Sequence, residues 1–168
     1  MFSSECHFQE SILLPKIDLN EDLPTVMLLG QTGAGKSYFG NALLGYVDPS
    51  NGIFRTANSH SSIDYIPSFN SVTDEINVQT GSFFQNNAQR HLPVKHFRLN
   101  VVDTPGWGDA DPTKRSINAQ RIAQSLQFGV NLFFFIKSSK FERFSEMEQA
   151  ILGDLHNWTN GDFWKHLG

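Results

Sequence analysis

The feature that most constrains this chain is a glycine-rich turn between an apolar segment and a helical one. The turn reads Gly30-Gln-Thr-Gly-Ala-Gly-Lys-Ser37 and fits the pattern G-x-x-x-x-G-K-S at every fixed position. Residues 25–30 before it form a short apolar run that ends in glycine, as expected of a buried parallel strand. Residues 36–44 after it show helical spacing of apolar side chains and stop at Gly45. A strand, a glycine loop and a helix in this order predict an α/β fold.

The residue types in this turn suit a phosphate group. Glycines allow backbone dihedrals that a side chain forbids, so consecutive amides can turn onto a phosphate at the amino terminus of a helix, where the helix dipole also favours an anion. We expect Lys36 to reach the β- and γ-phosphates and the Ser37 hydroxyl to coordinate Mg²⁺. A chance glycine-rich turn is the alternative, which the flanking strand and helix disfavour. The predicted nucleotide contacts in this region are Gly30, Gln31, Thr32, Gly33, Ala34, Gly35, Lys36, Ser37 and Tyr38.

A second motif, Asp103-Thr-Pro-Gly106, follows the apolar residues 99–102. Its carboxylate is predicted at the carboxyl end of a strand, where open α/β sheets bind ligands. We expect Asp103 to hold Mg²⁺ through water and the Gly106 amide to contact a γ-phosphate. The alternative is a plain β-turn, because Pro and Gly are common turn formers. Thr73 is the candidate for a third metal ligand beside Ser37 and Asp103, although a strand-start threonine is a competing interpretation.

Outside these motifs, the apolar pattern predicts further strands and helices. A polar stretch between two of the strands indicates an antiparallel hairpin. The segment 46–70 is longer than an ordinary connection between secondary-structure elements and is a candidate switch segment. Residues 1–22 show no sustained period and are predicted to be a flexible leader, so the domain covers 23–168. The predicted strands are 72–80, 97–102 and 131–137, and the predicted helices contain residues 119–126 and 147–155.

Composition and charge narrow the function classes. The chain has 168 residues, of which 39% are apolar and 18% charged, as expected of one globular domain. A net charge of −4 argues against nucleic-acid binding. The longest apolar run, 130–136, is far shorter than the roughly 20 residues of a membrane-spanning helix, so we predict no transmembrane segment. Cys6 is the only cysteine, which favours a reducing compartment, and we predict a cytoplasmic protein.

Four stretches of the chain carry a family resemblance: 30–45, 71–73, 103–106 and 143–151. Together they resemble the avirulence-induced-gene type GTPases. These include the immunity-associated GTPases and are related to septins and to the chloroplast-import receptor GTPases. The resemblance implies a P-loop NTPase fold, a Ras-like three-layer α/β sandwich with a mostly parallel sheet. It also implies binding of GTP/GDP with Mg²⁺ and a homodimer across the nucleotide face.

The chain departs from that family pattern in two places. Ras-like domains select guanine with an Asn/Thr-Lys-x-Asp segment after a further strand, and the 168 residues contain no such segment. In the family, a segment like Phe163-Trp-Lys-His directly precedes that strand. We therefore expect a domain that is incomplete at its carboxyl side and leaves residues 131–137 as an uncovered edge. The second departure is Trp107, which stands where Ras-type enzymes have a water-orienting Gln and so predicts slow hydrolysis.

Two functions stay open at this stage. The first is a switch that binds GTP with Mg²⁺ and hydrolyses it slowly. The second is a truncated, non-catalytic nucleotide-binding or interaction module without guanine specificity. An ATP-using kinase or ATPase is disfavoured because Thr73 lies between the loop and Asp103-Thr-Pro-Gly106, as in GTPases. Arg55 is a weak candidate for an arginine finger, since a surface arginine in a polar loop is more often only solvated.

Overall fold

The computed structural model of the chain describes residue 20 and the ranges 22–46, 52–56, 75–83, 97–107, 111–138 and 143–167. Almost all of the predicted leader 1–22 lies outside these residues. So do Thr73 and most of the candidate switch segment 46–70. The leader, the boundary of the domain and the role of Thr73 therefore stay predictions.

The described strands form a single mixed sheet with the order β2-β3-β1-β4. The central strand β1 pairs in parallel with β3 on one side and with β4 on the other. The only antiparallel pair of this sheet joins β2 to β3, which confirms the predicted hairpin. The sheet is therefore mostly parallel, as predicted. Its strands are β1 Thr25–Leu29, β2 Asn77–Ser82, β3 Arg98–Asp103 and β4 Leu132–Phe135.

The second and third α-helices begin at side-chain capping residues. The Asp111 carboxylate accepts a hydrogen bond from the Thr113 amide at 2.8 Å, which places the start of the second helix well before the predicted residues 119–126. Ser145 and Glu148 form a reciprocal capping box at the start of the third helix. The bounds are α1 Lys36–Leu43, α2 Pro112–Ser125 and α3 Glu146–Trp158, with 3₁₀ helices at Leu126–Phe128 and Asp162–His166.

The core lies on both faces of the sheet. Because side chains alternate along a strand, Met27 and Leu29 of β1 enter one cluster and Val26 and Leu28 enter the other. This explains why the whole of β1 is apolar and buried. The first cluster also holds residues of α2, α3 and the segment after α3: Ile122, Ile151, Leu155 and Phe163. The second is completed by α1 and by Phe54. The structure thus has the three layers that were predicted.

Strand β4 is the outermost strand of the sheet among the described residues, but its edge is not bare. Leu167 makes a parallel bridge with Phe133. The Phe163 ring packs on the Phe133 ring with centroids 5.0 Å apart. Among the described residues β4 is thus an edge strand, as expected, but its edge is covered in part, because the chain after α3 turns back onto it.

Two glycines give a paired test of this fold. A Cβ on Gly30 would lie 2.2 Å from the Ile136 carbonyl oxygen, and its φ is +145°, so Gly30→Ala should lower the thermal midpoint clearly. A Cβ on Gly153, inside α3, would meet nothing within 4 Å. Gly153→Ala should stabilise the chain by about 1 kcal/mol, the difference in helix propensity. Thermal unfolding of the two variants checks this, and a stabilised Gly30→Ala variant would contradict the described close approach.

Candidate phosphate site

The glycine loop has backbone conformations that suit glycine and leaves open space beside them. Gly33 has φ of 76° and Gly35, which precedes the first residue of α1, has φ of 97°. A Cβ at either position would meet nothing within 4 Å. The Ala34 amide donates to the Gln31 carbonyl at 3.2 Å, and the Phe39 amide donates to the Gly35 carbonyl at 2.9 Å. The loop therefore turns tightly into α1 around an open concave backbone, which is the shape that an oxyanion requires.

Lys36 is buried beneath this loop. Its side chain is 6% exposed, and its Nζ donates to the carbonyl oxygens of Gly30 at 3.1 Å and Gln31 at 3.0 Å. Burial lowers the pKa of Lys36 to about 8, while the negative charge of Asp103 acts in the opposite direction. A cation desolvated in this way gains strongly from a nearby anion. The buried amine is therefore consistent with a phosphate ligand.

Ser37 and Asp103 lie next to each other beside the loop. The Ser37 hydroxyl donates to Asp103 Oδ2 at 2.6 Å, and Asp103 is 1% exposed. The pair forms because β3 runs parallel to β1, with Asp103 opposite Leu28, so the carboxyl ends of both strands meet at one edge. A hydroxyl and a carboxylate are hard oxygen ligands that fit Mg²⁺.

The chain offers this metal a small ligand set. Across the described ranges, His, Cys, Asp and Glu side chains do not gather in threes that could hold an ion. Mg²⁺ is commonly bound by one or two protein oxygens together with substrate phosphates and water. The Ser37 and Asp103 pair agrees with that mode of binding, and Thr73 lies outside the described residues.

Gly106 and Trp107 are hydrogen-bonded and packed directly against the loop. The Thr32 amide donates to the Trp107 carbonyl at 3.0 Å, and the Trp107 amide donates to the Gly30 carbonyl at 3.3 Å. A Cβ on Gly106 would lie 2.2 Å from Thr32 Oγ1 and 2.5 Å from Thr32 Cα, so only glycine fits there. The structure therefore brings the two sequence motifs together.

The exposure of three residues singled out by the sequence analysis bears on their roles: Trp107, Tyr38 and Arg55. Trp107 is 5% exposed and stacks on Trp158 of α3, with ring centroids 5.8 Å apart and planes 13° apart. Its indole belongs to the core, so it does not take the place of a water-orienting Gln. Tyr38 is 50% exposed at the start of α1, and its contact with a nucleotide stays a prediction. Arg55 is exposed.

The sequence analysis missed three polar residues that support the site. The Asn118 amide donates to the Gly106 carbonyl at 3.1 Å. Asn41 exchanges two hydrogen bonds with the backbone of Phe54, at 2.9 and 2.8 Å, and so fixes the segment 52–56 to α1. Ser145 is the third, since its hydroxyl accepts a hydrogen bond at 2.9 Å from the side chain of Gln31, itself a predicted contact. Asn118 could have been found, because it lies four residues before the buried Ile122 on the same helix face.

We compared the chain with known protein families, curated protein sequences and solved structures. Neither a protein-family model nor a curated protein sequence matches the chain. Solved structures do. Toc33 from Arabidopsis thaliana, in a dimerization-deficient mutant, superposes with a TM-score of 0.59 at 16% identity, over 86% of this chain and 48% of that one. The chain has the α/β fold of the P-loop NTPases.

Other Toc33 structures agree. The complex with Mg²⁺ and GMPPNP superposes with a TM-score of 0.53 at 18% identity, over 88% of this chain and 50% of Toc33. A third structure comes from work on the chloroplast translocon components atToc33 and psToc159, whose dimerization is described as important for their GTPase activity. It superposes with a TM-score of 0.54 at 17% identity, over 88% of this chain and 49% of that one. The chain thus spans about half the length of these proteins, and the likeness concerns the fold.

The length and apolar character of the helices decide whether any of them could cross a membrane. Within the described segments, none has both the length and the apolar character needed to cross a membrane.

The buried amine predicts a pH dependence of stability. Because the pKa of Lys36 falls from 10.5 to about 8 on folding, the unfolded chain binds more protons than the folded one between these values. Without a bound anion, the contribution of Lys36 to the free energy of unfolding should therefore rise between pH 8 and 10.5, by on the order of 3 kcal/mol. Denaturant titrations of the wild type and Lys36→Met across this range check it. Equal pH slopes in the two proteins would refute the shift.

Proposed function

We propose that this protein binds GTP and GDP with Mg²⁺ and acts as a nucleotide-dependent switch with slow hydrolysis. One observation carries the proposal: the Ser37 hydroxyl and the buried Asp103 carboxylate lie 2.6 Å apart beside a glycine loop whose lysine is buried beneath it. A lysine for the phosphates, a pair of metal ligands and a glycine that can sense the third phosphate all lie at the carboxyl ends of neighbouring strands in this proposal. That combination is the one used for nucleoside triphosphates in P-loop proteins.

Each group has a separate task in this proposal. The amides of residues 33–37 surround the phosphates, and the Lys36 ammonium neutralises their charge. Ser37 and Asp103 hold Mg²⁺, with Thr73 as the proposed third ligand. When bound, the ion would supply positive charge that stabilises the phosphates. Gly106 lies against the loop at Thr32, so its amide is close to the nucleotide contacts and can respond to a third phosphate.

Hydrolysis is proposed to be slow for a physical reason. The indole of Trp107 is stacked on Trp158 and buried in the core, and an indole also has no acceptor for a water proton. The site therefore depends on positioning and on charge, without a side chain at this position that orients water. A group from a partner molecule would raise the rate.

The preference for guanine and the homodimer rest on similarity. Toc33 has been solved with GDP and Mg²⁺ and with GMPPNP and Mg²⁺, and its structures share the fold of this chain. Dimerization is described as important for the GTPase activity of the Toc33 and Toc159 translocon components. We extend both properties to this chain, together with membership of the avirulence-induced-gene type GTPases and a cytoplasmic location. The competing function is a nucleotide-binding or interaction module without guanine specificity.

Nucleotide titration tests the proposal directly. The purified chain should bind fluorescent GTP and GDP more tightly than ATP, and Lys36→Ala should weaken GTP binding by about ten- to a hundredfold, because it removes a charge-assisted contact. Lys114→Ala removes an exposed lysine of α2 and serves as the matched control. Equal affinity for ATP and GTP would favour the module without guanine specificity. No binding of any nucleotide, or full binding by Lys36→Ala, would overturn the proposal.

The metal site has its own test. Asp103→Asn keeps the size of the side chain and removes its charge, so Mg²⁺ should no longer strengthen GTP binding. In EDTA the same variant should bind GTP at least as tightly as the wild type, because one negative charge near the phosphates is gone. Asp154→Asn, at an exposed position of α3, is the control. An undiminished Mg²⁺ effect in Asp103→Asn would show that the ion is held elsewhere.

A further inference from the structure

Trp107 connects the nucleotide loop to the carboxyl end of α3. Its backbone is hydrogen-bonded to Thr32 and Gly30 on the loop, at 3.0 and 3.3 Å. Its side chain is stacked nearly parallel on Trp158, the last residue of α3. A movement of Trp107 away from the loop therefore also disturbs its contact with Trp158. Position 158 is 37% exposed, so it can be changed without opening the centre of the core.

The contact between the loop and Gly106 leaves one polar group unsatisfied. Thr32 Oγ1 is buried, lies against Gly106 and has no hydrogen-bond partner among the described residues. A buried hydroxyl without a partner is unfavourable. We call the arrangement in which Gly106 lies against Thr32 the closed contact. The unsatisfied hydroxyl destabilises this closed contact, whereas the stack of Trp107 on Trp158 stabilises it.

We propose that Trp158 is a positioning residue that sets the preference of the site between nucleoside triphosphate and diphosphate. Through Trp107 it holds Gly106 against Thr32. A third phosphate acts in the opposite direction, because its oxygens can accept a hydrogen bond from the Thr32 hydroxyl and from the Gly106 amide once the two residues separate. This inference rests on the proposed function, since it concerns the same nucleotide site.

The physical consequence is a shift in the equilibrium between two states, one with Gly106 against Thr32 and one with the two residues separated. Removing the Trp158 ring weakens the closed contact and leaves the phosphate ligands of the loop unchanged. The affinity for GTP should then rise relative to the affinity for GDP, by the two- to tenfold that an aromatic pair contributes on average. Removing the Thr32 hydroxyl should act in the other direction, because the closed contact loses its unsatisfied group and the third phosphate loses a donor.

The experiment measures dissociation constants for GTP and GDP, each with Mg²⁺, in four variants of the full chain. Trp158→Ala should raise the ratio of GDP to GTP dissociation constants about two- to tenfold, while Trp158→Phe, which keeps an aromatic ring, should return it toward the wild type. Thr32→Val should lower the ratio. Trp164→Ala is the matched control: Trp164 is also exposed and lies near the end of α3, but its indole donates to His156 and does not stack on Trp107.

The outcomes separate this inference from the proposed function. The role of Trp158 is overturned if Trp158→Ala and Thr32→Val both bind nucleotide with an unchanged ratio of GDP to GTP dissociation constants. It is also overturned if the ratio shifts in the same direction in both variants. Either result leaves nucleotide binding itself intact. A shift in Trp164→Ala as large as in Trp158→Ala overturns it too, because the effect is then a general one. If the wild type binds neither nucleotide, both proposals fail. Should Trp158→Ala not fold, Trp158→Leu takes its place, because it also removes the aromatic ring but keeps an apolar side chain, and an unchanged ratio in that variant overturns the inference.

Discussion

The parallel pairing of β1 with β3 is the interaction on which the rest of this structure depends. It sets Asp103 opposite Leu28, so the carboxylate emerges one strand away from the glycine loop. Ser37, at the start of α1, then reaches Asp103 at 2.6 Å. A slip of one residue would turn every side chain of β3 to the opposite face and remove the carboxylate from the site. The apolar residues on both faces of these strands therefore secure the register that the chemistry needs.

Around this pairing, the site concentrates groups that are costly to bury. Lys36, Asp103 and the Thr32 hydroxyl are all removed from water in or beside the glycine loop, and burial lowers the pKa of Lys36. The two core clusters offset these costs from either side of the sheet. Such a site favours an anion and a cation together. The anion would compensate the desolvation of Lys36, and the cation that of Asp103.

The positions of most elements were predictable because their signals are local. The apolar run of β1, the glycines of the loop and the helical spacing of α3 each depend on neighbouring residues alone. The start of α2 was predicted less well, since its first turns carry exposed polar residues and only the capping pair of Asp111 and Pro112 marks the beginning. The covering of β4 was not predicted, because it depends on how Phe163 and Leu167 turn back in space. Thr73 lies outside the described residues and stays a prediction.

By itself, the sequence determined the fold class and indicated the proposed phosphate contacts, because the conformational freedom of glycine and the chemistry of Lys, Ser and Asp belong to the residues themselves. Only the tertiary structure decided which side chains cooperate at a distance. Gly106 against Thr32, Asn118 under Gly106 and Trp107 on Trp158 are contacts between separate elements. They follow from the packing of α2 and α3 on the sheet, and spacing along the chain carries no information about such packing.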